Sequence, residues 1–84
     1  MAKIDKSLKV RLQKNPEDMV RLIVRVGGEV PVAAGRLAQR GAKVLRSFEL
    51  INAVSVSLPG KTALSLLEEP WVKSVEQDRK VSTQ

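Results

Sequence analysis

From Met19 to Val26 the chain alternates: Val20, Leu22, Val24 and Val26 take one parity, and Arg21, Ile23 and Arg25 take the other. A period of two rich in β-branched residues predicts a strand. Ile23 on the second parity predicts a central strand, covered on both sides for part of its length. Gly27-Gly28 ends it. The period then changes. Val30, Ala33, Ala34, Leu37 and Ala38 repeat at helical spacing, with Pro31 tolerated in the first turn and Gly41 suited to the C′ position, so residues 30–40 predict a helix packed on a sheet. Gly35 inside that helix costs about 1 kcal/mol against Ala.

Residues 43–50 and 53–58 predict a β-hairpin. Val54, Val56 and Leu58 alternate with Ala53, Ser55 and Ser57, the signature of a half-buried antiparallel strand. Asn52 suits a left-handed connection. After Pro59-Gly60, residues 61–68 predict a short helix with Ala63, Leu64, Leu66 and Leu67 on its apolar side, and Pro70 forces the exit. Residues 72–78 predict the last strand, with Glu76 and Asp78 on one face of it.

Ahead of all this, residues 6–13 carry two patterns. Leu8 and Leu12 stand four apart behind Asp5, a potential N-cap, while Leu8, Val10 and Leu12 also alternate. The helix is the preferred reading because Lys and Gln fill the other positions and Asn15-Pro16 stops the segment; the strand remains the competing one. The domain organisation expected is an N-terminal extension over 1–19, one domain over 20–78 and a tail over 79–84. The order strand, helix, strand, strand, helix, strand predicts an α+β ferredoxin-like split βαβ fold. It would have a four-stranded antiparallel sheet and two helices on one face. The other face, with chiefly Ile23 and Leu45 as large apolar groups, is expected to stay open to solvent or a partner.

Composition narrows the chemistry. With no cysteine and no histidine among 84 residues, there is no disulfide, thiol nucleophile, histidine base or His/Cys zinc site. The acidic residues are scattered, so no metal or other cofactor is expected, and no catalytic constellation points to an enzyme. No apolar run is long enough to span a membrane. The start shows no secretory pattern, so the expectation is a cytoplasmic polypeptide, or an extracellular one if excised from a secreted precursor. Charge is uneven. Residues 1–48 hold eleven basic and four acidic side chains, whereas 49–84 hold four and five. An excess of this kind suits an acidic surface or a phosphate backbone, and equally a solvated face.

The run Val20-Arg21-Leu22-Ile23-Val24-Arg25-Val26, then Gly41-Ala42-Lys43-Val44, then Ile51-Asn52-Ala53-Val54-Ser55-Val56, resembles the propeptide domain of subtilisin-like serine proteases (the peptidase inhibitor I9 family). The closing stretch from Leu64 through Glu69-Pro70-Trp71-Val72-Lys73-Ser74-Val75-Glu76-Gln77-Asp78 carries the resemblance most strongly. The likeness covers about 20–84. It implies a ferredoxin-like domain that acts as folding chaperone and inhibitor of a subtilisin-like serine protease, or as a stand-alone inhibitor. It also implies a sheet docked on two parallel helices of the enzyme and a product-like C-terminal segment in the active-site cleft. On that carry-over Val81, Ser82, Thr83 and Gln84 take P4 to P1, and Glu76 and Asp78 cap the N-termini of the enzyme's helices. Gln84 departs from the pattern, since a large apolar S1 pocket would favour an aromatic or Leu. Helix N-termini do attract carboxylates, each contact being worth about 0.3–1 kcal/mol when exposed. The competing reading of Glu76 and Asp78 is an ordinary solvated strand end.

Two other classes compete. Single-stranded nucleic-acid binding is disfavoured because Phe48 and Trp71 are the only aromatics and lie on different segments. A small regulatory or homodimeric assembly domain, pairing through edges or open faces, remains physically reasonable. The expected core is Leu22, Val24, Val26, Ala34, Leu37, Val54, Val56, Leu64, Leu67, Val72 and Val75. Val56→Asp is therefore predicted to abolish cooperative unfolding, because a buried unpaired charge exceeds a margin of about 5 kcal/mol. A urea titration that still shows a native-like transition would mean the strand's faces are reversed.

Overall fold

A computed structural model describes residues 2–78. Among them the chain forms β1 (Lys3–Ile4), α1 (Lys6–Lys14), β2 (Met19–Val26), α2 (Val30–Gln39) and β3 (Lys43–Phe48). A 3-10 turn (Glu49–Ile51), β4 (Ala53–Pro59), α3 (Gly60–Leu66) and β5 (Val72–Gln77) follow. The strands make one sheet in the order β1-β5-β2-β4-β3. β2 lies at its centre, antiparallel to β4 on one side and to β5 on the other. No described helix is long and apolar enough to cross a membrane.

This corrects the expected four-stranded antiparallel sheet with two helices. The sheet has five strands and is mixed, because Lys3 and Ile4 pair in parallel with Ser74 and Val75. A third helix, α1, follows at once. The cause is local chemistry that leaves little periodic trace. Asp5 is extended (φ −64°, ψ 136°) and accepts from the backbone N–H groups of Ser7 and Leu8, so the chain before it is straight and the chain after it coils. A two-residue strand is too short to show alternation. The Ala2 N–H donates to the Leu67 carbonyl, fastening the start of the chain to the end of α3.

The helical reading of residues 6–13 holds, extended by one residue to Lys14. Leu12 is 1% exposed and Leu8 is also buried. α1 packs on α3, and the contact is close at Gly60. A Cβ at Gly60 would stand 2.8 Å from the Asn15 carbonyl oxygen and 3.1 Å from that of Leu12. The Gly60 and Lys61 N–H groups, at the start of α3, donate to the carbonyls of Asp18 and Pro16. The first turn of α3 is thus satisfied by the loop after α1 rather than by a side-chain cap.

The core lies on one face of the sheet. Leu22, Val24 and Val26 from β2 join Val54, Val56 and Leu58 from β4 and Val72 and Val75 from β5. Val30, Ala33 and Leu37 of α2 and Ala63 and Leu66 of α3 cover them. Of the expected core, Ala34 and Leu64 are only half-buried; Leu58, Leu66, Leu8 and Leu12 are the large side chains that the expectation omitted. β3 stops at Phe48 instead of continuing to residue 50. A 3-10 turn intervenes and leaves Leu50 fully exposed. Asn52 closes that turn in the left-handed region (φ 52°), and Gly41 at φ 94° ends α2.

Two substitutions probe the added layer. Leu12→Ala is predicted to cost about 2–5 kcal/mol. Gly60→Ala is predicted to cost at least about 1 kcal/mol, since the clash is with backbone that cannot swing away. Both are read as lowered midpoints in thermal or urea unfolding; a Gly60→Ala chain as stable as wild type would show that α1 shifts freely against α3.

Candidate functional site

The face of the sheet opposite the helices carries side chains of the other parity. β2 presents Arg21, Ile23 and Arg25; β4 presents Ala53, Ser55 and Ser57. On β5, Glu76 stands opposite Ile23, and the Asp78 N–H, just past the strand, donates to the Arg21 carbonyl at 3.1 Å. Glu76 and Asp78 therefore sit on the open face, two residues apart, where the chain leaves the sheet. Val81, Ser82, Thr83 and Gln84 lie outside the described residues.

Both carboxylates are held. Asp78 Oδ2 accepts from Ser55 Oγ at 3.2 Å, and Ser55 is the buried polar residue of the sheet. Glu76 Oε2 lies 3.3 Å from Arg25 Nε. This ion pair has about half of each side chain in solvent, so it orients Glu76 more than it stabilises the fold. Next to them Arg21, Ile23, Leu45, Arg46, Phe48, Ser55 and Asp78 line a shallow depression of about 440 Å³. The Arg46 guanidinium lies 5.7 Å from the centre of the Phe48 ring, within cation–π range.

Residues that the sequence reasoning did not single out complete this surface. Ser55, Arg25 and Arg46 hold or flank the acidic pair, and Ser55 and Arg25 were legible as members of the outer parity. Arg46 was not, because it reaches the open face through an irregularity of β3 between Val44 and Arg46. Trp71 belongs elsewhere. It is half-buried against the helices, its Nε1 donates to Glu69 Oε1 at 3.2 Å, and Arg36 lies over its ring. Among the described residues no three His, Cys, Asp or Glu side chains converge as a metal site would require.

The sheet thus has one apolar face under the helices and one largely polar face without helices on it. Residues 4–84 match the model of the family described as Peptidase inhibitor I9, and this chain belongs to that family. The match reaches back to residue 4, beyond the start of the resemblance near Val20, and so takes in α1. A comparison with curated proteins gave no match. Membership supports a general protease-inhibitor or propeptide role, which is not enzymatic.

Arg25→Gln tests the ion pair. The expected change in unfolding free energy is within about 0.5 kcal/mol. A loss several times larger, by urea denaturation, would make the pair a structural element rather than an orienting one.

Proposed function

We propose that this chain binds a subtilisin-like serine protease through the open face of its sheet, as inhibitor, folding chaperone or both. In this reading Glu76 and Asp78 accept from the unsatisfied N–H groups at the N-termini of two enzyme helices. Val81, Ser82, Thr83 and Gln84 lie along the active-site cleft like a product. The observation that carries the reading is the position of Glu76 and Asp78: side by side on the open face, oriented by Arg25 and Ser55, at the point where the chain leaves the sheet. Preoriented carboxylates lose little conformational freedom on docking, so more of each contact's free energy appears as affinity.

The six residues after Asp78, if extended, reach about 20 Å. That is enough to run from a docked sheet into a neighbouring cleft. An extended segment of this kind can pair with a substrate-binding strand, leaving specificity to the pockets that receive its side chains. Ser82 and Thr83 are small enough for most subsites; Gln84 demands an S1 pocket that tolerates an amide.

Titration calorimetry and residual peptide hydrolysis with an inhibited protease separate the two parts. Deleting residues 81–84 is expected to abolish active-site inhibition with an unchanged unfolding curve. Glu76→Ala with Asp78→Ala is expected to weaken docking by about 1–3 kcal/mol while the tail still inhibits at higher concentration. If the truncated chain inhibits as well as the intact one, the tail is not the inhibitory element.

A further inference from the structure

β5 is the strand from which the chain passes to residues 79–84, and its two edges are held unequally. On the β2 side the ladder runs to the end: Gln77 pairs with Leu22, and the Asp78 N–H donates to the Arg21 carbonyl at 3.1 Å. On the other side β1 reaches only Ser74 and Val75. Beyond Val75 no strand covers that edge among the described residues. What stands there is α1. Arg11 Nη1 donates to Gln77 Oε1 at 3.1 Å, joining the middle of α1 to the last residue of β5.

Position 77 has the parity of the core. Val75 is buried, Glu76 stands on the open face, and Gln77 turns back toward α1. An apolar side chain there would extend the core; the chain instead places an amide whose oxygen takes up a guanidinium. Two shallow depressions flank the contact, and Arg11 and Gln77 line both. One, of about 370 Å³, is bounded by Leu8, Leu12, Val20, Asp18, Arg21 and Asp78. The other, of about 470 Å³, is bounded by Asp5, Ser7, Val75 and Glu76. The charges around Arg11 are thus four carboxylates and one other cation, a surplus that favours a guanidinium at this point.

The root of the tail is held from three elements. β2 acts through the Asp78 N–H, β4 through Ser55 Oγ on Asp78 Oδ2, and α1 through Arg11 on Gln77. The first two follow from the sheet register, whereas the third comes from the N-terminal helix. We infer that α1 is part of the inhibitory apparatus: Arg11 is a positioning residue that straps Gln77 and fixes the direction in which residues 79–84 leave the sheet. The inference rests on the proposed protease binding and adds to it a residue that acts on the tail rather than on the enzyme. A tail with a fixed root loses less freedom on entering a cleft, and ordering one residue's backbone is worth about tenfold in affinity. The contact itself is exposed, so its share of folding stability is small. Inhibition and stability therefore separate.

The test measures inhibition constants for the full chain, Arg11→Ala, Gln77→Leu and the double variant against purified subtilisin-type serine proteases cleaving a chromogenic peptide, with thermal unfolding of each. Lys6→Ala, on the exposed start of α1, controls for the loss of one positive charge. Each single variant is expected to raise the inhibition constant about 3–10-fold, and the double variant no more than the larger single, because both remove one contact. Melting midpoints should stay within about 4 °C of wild type, and Lys6→Ala should inhibit within about 2-fold. Single effects that multiply in the double variant would mean that the two side chains meet the enzyme separately, which overturns the strap. Unchanged inhibition by Arg11→Ala also overturns it and leaves protease binding standing. A loss of inhibition matched by an equal loss of stability makes the contact structural, and the inference fails. If the wild-type chain inhibits none of the proteases, the binding proposal itself falls, and this inference with it.

Discussion

β2 pairs along most of its length with β4 on one side and β5 on the other, and that double pairing is the constraint on which the other features depend. A strand held on both edges cannot slip by one residue without moving every side chain to the opposite face. Leu22, Val24 and Val26 would then enter solvent and Arg21 and Arg25 would enter the core. Fixing those three residues inward fixes Arg21, Ile23 and Arg25 outward. The same ladder sets Ser55 beside Asp78 and Arg25 beside Glu76. Core and binding face are two consequences of one register.

A chain of this size buries only about 60–65% of its unfolded surface, so each added apolar contact matters. The N-terminal segment supplies one. Leu8 and Leu12 reach the core beside α3, and β1 covers the edge of β5 that would otherwise present unpaired backbone groups. The opposite edge, β3, is guarded differently. It carries Lys43 and Arg46 and an irregular register, features that discourage pairing with a second sheet. The strand from which the proposed tail emerges is therefore held between two neighbours, β1 and β2. A tail leaving a frayed edge would dock at a greater entropic cost.

Much of this was legible in the sequence because one face of every long element is apolar at the right period. The parity of Val20 to Val26, the stripe from Val30 to Leu37, and the turn chemistry of Gly41 and Asn52 all correspond to what the chain does. What stayed hidden has physical reasons. β1 has two residues, too few for a period. Gly60 reads as a strand terminator beside Pro59, but its role is steric, a bare backbone under the carbonyls of Leu12 and Asn15. Leu50 and Ile51 look like strand hydrophobics, yet they belong to a turn whose geometry is closed by Asn52. The acidic pair was visible as two carboxylates at strand spacing; its partners Ser55 and Arg25 depended on register, which no single segment contains.

Two breaks in register decide which side chains reach the open face, because regular alternation would have given a different surface. On β5, Val72 pairs with Val26 and Ser74 with Arg25, so Lys73 is an extra residue. Strict alternation from Val72 would send Ser74 and Glu76 into the core and Val75 outward. The bulge lets both Val72 and Val75 face the helices while Glu76 faces out. On β3, Val44 pairs with Val56 and Arg46 with Ser55, so Leu45 is the extra residue. Alternation from Val44 would have buried Arg46 and Phe48 and left Leu45 and Ser47 on the open face. Bulges add local twist and re-aim side chains at small cost when they lie away from the sheet's centre. Here they flank the β2–β4 pair, which keeps its regular ladder and the core. Glu76 and Arg46 both reach the open face through such a break. The regular β2 ladder fixes Arg21 and Arg25 outward, and the bulges in β5 and β3 add Glu76 and Arg46. A chain with the same core but regular β3 and β5 would have lost those two groups from the open face.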